Sequence, residues 1–323
     1  MQPGSPSALD ATLREQHVGG VVLLGGWTGA TAVTATSTHL QQVGAPAAGG
    51  LGLLVAADQE GGQVQQLKGA GFTTLPPALV AGRTPGTLAA TAERTAGELR
   101  AAGVNVNLAP VADTVTAAFA PSNGPIGRFQ REYANDPSAV AVAVTNVVTG
   151  LQSGGASATI KHFPGLGRVA GNTDVTAIGI TDSTAAAGDP NLAPFAAGIR
   201  AGARLVMVSS ARYPGLDPDN PAVFSAPIVT GLLRGTMGYA GVVVTDDVGA
   251  AKAVAAVPVA ERATRFIAAG GDIVLTAVAS QVPTMAAAVT ARAASDPAFA
   301  AQVDAAVHRV VALKQTTGLA GCG

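Results

Sequence analysis

The chain has 323 residues, 48% of them hydrophobic, with 41 glycines, and its 19 basic and 20 acidic side chains leave a net charge of -1. That length suits one large α/β domain or two small ones. No concentrated cationic stripe is present, which excludes nucleic acid as a partner, and no window approaches a run of large apolar residues long enough for a transmembrane helix.

Cys322 is the only cysteine and stands beside the C-terminus, so neither a disulfide framework nor a Cys/His zinc spacing exists. Histidines fall at 17, 39, 162 and 308, too scattered for a His-based metal site. No metal or organic cofactor is expected. Met1 to Ser7 has no charged n-region and no apolar core, so it does not read as a signal peptide. Cytoplasm is the default compartment, and a trimmed secreted or lipid-anchored domain would read the same way. A monomer is expected.

In chain order, Ser7 is placed to cap a helix from Ala8 to Glu15, with Leu9 and Leu13 at i, i+4 spacing. Val18 to Leu24 reads as a buried parallel strand ending in a glycine-rich loop around Trp27. That loop lacks the Lys-Ser/Thr of a phosphate loop, and Trp27 is either a sugar platform or an apolar plug. Helix Thr31–Gln42 leads to strand Leu51–Ala57, helix Thr87–Ala102 to strand Val104–Leu108, and helix Pro137–Ser153 to strand Ser157–Lys161. Helix Leu192–Ala201 precedes strand Arg204–Ser209, helix Ala226–Arg234 precedes strand Gly241–Thr245, and helix Pro258–Ala269 precedes strand Asp272–Thr276. Helices Val282–Ala294 and Ala298–Lys314 finish the chain. Apolar β-branched strands alternating with Ala-rich helices predict a parallel sheet covered by helices. No linker divides the chain, so residues 1–323 are expected to be one domain.

Several of these strands end in polar groups. Leu53–Ala57 runs into Asp58-Gln59-Glu60-Gly61-Gly62, Val104–Leu108 carries Asn105 and Asn107 and leads on to Asp113, and Val242–Val244 runs into Thr245-Asp246-Asp247. The strand at 157–161 ends in Lys161-His162-Phe163-Pro164-Gly165, and Lys161 is one of only four lysines. A strand-end Lys-His pair either salt-bridges a neighbouring helix or points at a ligand. In a parallel α/β fold the carboxyl ends of all strands lie on one face, so these groups converge although scattered in sequence.

The motifs Asp58 to Gly62, Asn107 to Asp113, Arg131 to Pro137, Lys161 to Gly165 and Gly241 to Asp247 resemble those of glycoside hydrolase family 3, in the same order and over nearly the whole length. Within it they are most similar to the single-domain β-N-acetylglucosaminidases of peptidoglycan recycling. The resemblance implies a (β/α)8 TIM barrel with its site at the strand carboxyl ends. It implies a retaining exo-β-N-acetylglucosaminidase acting on a carbohydrate substrate derived from the cell wall. Asp246 corresponds to the nucleophile, and Asp58, Arg131, Lys161 and His162 to groups that hold sugar hydroxyls. A carboxylate flanked by cations stays ionised and can attack an anomeric carbon, whereas Asp247 suits a helix N-cap. Arg131 is preferred over Arg128 for its spacing to Asp136-Pro137, which leaves Arg128 as a surface or loop salt bridge.

The chain departs from this pattern in several places. The family loop after the Lys-His motif usually ends in Asp-Ser-His, whose His is the acid/base; here Asn172-Thr173-Asp174 stands there. Asp174 either replaces that His, giving a pair of carboxylates about 5–5.5 Å apart, or only caps a turn. As an acid it needs a raised pKa, and its loop is expected to order when substrate binds. Gln63 replaces a common Arg. Only seven strands can be counted, so either one is disguised in the irregular stretches or the chain begins after the first. Competing expectations are another β-glycosidase (glucoside or xyloside), a sugar phosphorylase, a non-catalytic sugar-binding relative, and a Schiff-base enzyme using Lys161.

Overall fold

A computed structural model describes residues 1–320; Cys322 lies outside them. Six parallel strands form one sheet in chain order: β1 (Gly20–Leu23), β2 (Leu54–Ala57), β3 (Val106–Asn107), β4 (Ser157–Phe163), β5 (Leu205–Val208) and β6 (Val242–Thr245). The register runs Gly20 to Leu54, Ala56 to Val106, Val106 to Ser157, Thr159 to Leu205 and Leu205 to Val242. The expected strand Asp272–Thr276 is reduced to a single parallel bridge between Ile273 and Val244.

Alternate residues explain how the sheet bends. Leu54, Val106, Leu205 and Val244 share one cluster with Val22 and Ile273, so the first and last strands meet over a common apolar interior and the sheet curls. The opposite side carries Val206 and Val243 against the helices. All seven residues of β4 are buried, as a parallel strand covered on both faces requires.

Helices follow the sequence closely: α1 (Asp10–Gln16), α2 (Ala30–Ala47), α3 (Leu88–Ala101), α4 (Pro137–Ser153), α5 (Ala193–Arg200), α6 (Val259–Ala268), α7 (Val282–Ser295) and α8 (Pro297–Thr316). Asp136 caps α4 by accepting the Ala139 N–H. Ser7 caps nothing; it bonds Ser5 inside a 3-10 turn that delivers the chain to α1. Pro227–Thr236 is wound more widely than the α-helix expected there, as a π-helix. Among the described residues no helix is long and apolar enough to cross a membrane.

Trp27 is the apolar plug rather than a sugar platform: it is 3% exposed and packs among Leu23, Val33 and Leu67. Asn105 and Asn107 do not reach an open site. Asn105 spans Val55 N and Leu53 O, and Asn107 spans Gln59 N and Gln59 O, so both amides pin β2 to β3.

Asp272 fixes the seventh position. Its fully buried carboxylate accepts from Arg234 Nη2 at 2.7 Å, Arg309 Nε at 2.8 Å and the Val243 N–H at 2.7 Å, tying the stretch before Ile273 to β6. Asp272→Ala strands two cations and one backbone donor and should cost about 3 kcal/mol. A lowered urea midpoint checks this; an unchanged one contradicts the role.

Candidate active site

The carboxyl end of β2 turns sharply after Glu60, and Gly61 makes the turn possible at φ +105°, where an added Cβ would lie 2.3 Å from Pro76 O. Gln59 spends its side chain on both backbone groups of Leu67. Asp58 and Glu60 are thereby left to face β4. There the register with β5 shifts between Ile160 and Phe163, a bulge that falls on Lys161 and His162 and brings both consecutive side chains into one network.

In that network Lys161 Nζ lies 2.5 Å from Asp58 Oδ1 and 2.5 Å from Glu60 Oε1. Arg131 grips Glu60 with Nε and Nη2 at 2.8 and 2.7 Å, a two-bond fork. Arg131 Nη2 also lies 3.4 Å from His162 Nε2, and His162 Nδ1 lies 2.8 Å from Asp113 Oδ2. A carboxylate only accepts, so Nδ1 carries the proton and Nε2 is left as an acceptor facing Arg131. Asp113 also accepts the Leu166 N–H, which fixes the Pro164–Leu166 turn. The four residues expected to hold a sugar, Asp58, Arg131, Lys161 and His162, are therefore in one connected chain of bonds. Two further members, Glu60 and Asp113, were legible only as acids within the matching motifs.

Burial and charge act in opposition here. Burial pushes the Glu60 carboxyl up, but Arg131 and Lys161 outweigh it and pull the group down to about 2. Burial lowers Lys161, and Asp58 with Glu60 reverse that into a net rise. Glu132, next to Arg131, is fully buried with neither carboxyl oxygen hydrogen-bonded, and burial followed by the Asp113 charge raises its pKa.

Asp246 sits at the end of β6, its N–H held by Val208 O at 3.0 Å. No ion pair forms on it among the described residues, contrary to the expected flanking cations, because Lys161 and Arg131 are occupied by Asp58 and Glu60. Among the described residues its carboxylate accepts one hydrogen bond, from the Asp247 N–H at 2.8 Å. Asp247 caps a loop instead of a helix, accepting from Gly249, Ala250 and Ala277. Arg128 is exposed and makes no salt bridge among the described residues.

Asp174 lies in a loop whose backbone is tied down: Thr173 O accepts the Ala253 N–H and Asp174 O accepts the Lys252 N–H, both from the segment following Asp246. Asn172 folds back on the Asp174 N–H. Loss of surrounding water, then the Asp246 charge, pushes the Asp174 carboxyl up to about 6, against His162 and Arg131, which lower it. The Asp174 carboxyl thus titrates in the field of Asp246, although the residue as a whole is exposed.

Glu60 carries a pH signature. Its ordinary value is 4.5 and its folded value about 2, so its stabilisation is complete above pH 4.5 and is lost as pH falls toward 2. Glu60→Gln should flatten acid unfolding across that window relative to wild type, measured by circular dichroism; an identical profile contradicts the coupling.

The chain as a whole is similar to known proteins. The sequence profile of the glycosyl hydrolase family 3 N-terminal domain matches residues 5–313. A protein of Xanthomonas oryzae named beta-hexosaminidase is 36% identical over 271 residues, 81% of this chain and 77% of that one. The crystal structure of a beta-N-acetylhexosaminidase from Beutenbergia cavernae superposes with a TM-score of 0.94 at 46% identity, covering 98% of this chain and 95% of that one. A family 3 beta-N-acetylglucosaminidase from a Paenibacillus species superposes at 0.84 with 29% identity, over 100% of this chain and 62% of that one. With the family profile matching residues 5–313 and relatives covered over most of their length, the chain belongs to glycosyl hydrolase family 3.

Proposed function

We propose that this glycoside hydrolase removes terminal β-linked N-acetylglucosamine with retention of configuration. The observation that carries the proposal is the continuous chain of bonds Asp58–Lys161–Glu60–Arg131–His162–Asp113 at the strand ends, beside two carboxylates in different environments. Such a floor of fixed donors and acceptors suits a polyhydroxylated ring. The names of the hexosaminidase relatives support the amino sugar, and the resemblance in motifs extends it to cell-wall fragments. Residues 1–323 then form one family 3 domain, and its sheet belongs to a (β/α)8 barrel; seven parallel positions in chain order support this.

In the first step Asp246 attacks the anomeric carbon while Asp174 gives its proton to the glycosidic oxygen. The carbon–oxygen bond to the leaving group breaks and a glycosyl ester forms on Asp246. In the second step Asp174, now ionised, takes a proton from water, and the resulting hydroxide displaces Asp246. A pKa near 6 lets Asp174 serve in both directions near neutral pH. Asp58, Lys161, Arg131 and His162 hold the sugar hydroxyls, and none of them moves a proton.

Two measurements follow. On an aryl β-N-acetylglucosaminide, Asp246→Ala should lose turnover by at least about 10³-fold, whereas Asp174→Ala should be rescued by azide, which needs no base. Inert wild type with retained sugar binding would instead favour a non-catalytic binding protein. On a disaccharide, kcat/KM should fall about tenfold per pH unit above the Asp174 pKa, because the acid must be protonated. A readily departing aryl group should remove that limb; a limb unchanged by the leaving group contradicts the assignment of Asp174.

A further inference from the structure

Val175 and Ile178 stand in the same loop as Asp174 and break the usual rule for large apolar side chains. They are the two most exposed ones among the described residues, at 71% and 83%, ahead of Val80, Val142 and Val307 at 42%, 52% and 53%. Scattered single residues of this kind are ordinary, but two within four positions make a patch. Core is close at hand, because Val169 and Ile180 at the two ends of the loop are buried, at 0% and 4% exposure. The chain therefore turns its apolar residues inward on either side of the loop and outward at its tip.

The tip is held in that attitude by its own bonds. The Gly171 N–H donates to Gly179 O at 2.8 Å and closes the base, where Ile178 O leaves no room for a Cβ on Gly171. The N–H groups of Val175 and Thr176 both donate to Asn172 O, at 3.1 and 3.0 Å, and the Ile178 N–H donates to Thr176 Oγ1 at 2.9 Å. Together with the bonds from Lys252 and Ala253, these fix the backbone while the two side chains stay in water. From Gly171 to Gly179 the one charged residue is Asp174.

Position gives the patch its occupant. An acid must come within about 3 Å of the atom it protonates, and for Asp174 that atom is the glycosidic oxygen, the first atom of the leaving group. Val175 is the next residue, its Cα about 3.8 Å further along the chain. The group that departs therefore lies against the loop tip, while the sugar ring lies on the polar floor of Asp58, Lys161, Arg131 and His162.

We propose that Val175 and Ile178 form the leaving-group subsite and select β-N-acetylglucosaminides whose leaving group carries an alkyl or aryl surface next to the glycosidic oxygen, which rests on the hydrolase reading above. A ligand that covers both side chains removes apolar surface from water on both partners. That contact is the same before and during bond cleavage, so it acts on KM rather than kcat. A plain sugar meets the tip only through its C–H face and gains less.

Methyl and hexyl β-N-acetylglucosaminides test this, because the two alcohols leave with similar acidity and differ in apolar length. Wild type should show kcat/KM about tenfold higher for hexyl than for methyl. Val175→Ser/Ile178→Ser should bring that ratio to about twofold or less through a rise in KM for the hexyl glycoside. Val142→Ser, at an exposed apolar position on α4, should keep the wild-type ratio. Turnover with equal ratios in wild type and the double variant overturns the subsite and leaves the hydrolase standing. If neither glycoside is cleaved, calorimetric binding of the methyl and hexyl 1-thioglycosides reads the same ratio. A preference lost in the double variant then upholds the subsite without the hydrolysis; one absent from wild type, or kept by the double variant, overturns it.

Discussion

Lys161 is a cation removed from water at the end of a buried strand, and that is affordable only because two carboxylates meet it. Asp58 and Glu60 lie within 2.5 Å of its ammonium group. Taking one partner away leaves an uncompensated buried charge, which costs about 3–5 kcal/mol, whereas the intact cluster contributes little net stability. The cluster therefore constrains position more than it stabilises. For it to exist, β2 and β4 must end at the same level with β3 between them, the Asn105 and Asn107 amides must hold β2 to β3, and the bulge at 161–162 must deliver both side chains. Everything at the mouth of the sheet is referenced to that charge balance.

The same balance divides the labour among the acids. Glu60, Asp113 and Asp58 are consumed by cations and backbone donors, so they are fixed acceptors. Asp246 and Asp174 receive no ion pair among the described residues, and the Asp246 charge acts on Asp174. One of them, Asp174, has its carboxyl raised to about 6. A carboxyl with a raised proton affinity beside a second carboxylate is what acid/base exchange on a glycoside requires. The backbone bonds from Lys252 and Ala253 to the Asp174 loop keep the pair on one structural unit, so the loop is anchored before any ligand arrives.

Strand order, most helix limits and the convergence of Asp58, Lys161 and His162 were legible in the sequence because they follow from periodicity and from the one-sided geometry of parallel sheets. Arg131 was singled out only through the family pattern, by its spacing to Asp136-Pro137, and the structure joins it to Glu60 and His162. What escaped is set by pairing across long sequence separation. Asn105 and Asn107 resemble ligand-facing amides until their partners on β2 are known, and Glu60 reads only as one more strand-end acid until Arg131 closes on it from 71 positions away. The short strand at Ile273 was overestimated because its apolar pattern is that of a full strand, while only one residue bridges β6.

The most direct test of the two-carboxylate account is the mass of Asp174→Ala mixed with dinitrophenyl β-N-acetylglucosaminide and quenched early. That leaving group departs without a proton, but water cannot be activated without Asp174, so a glycosyl-enzyme should accumulate. Peptide mapping is predicted to place one sugar on Asp246. A sugar on any other residue, or no adduct together with a product of inverted configuration, would contradict the account.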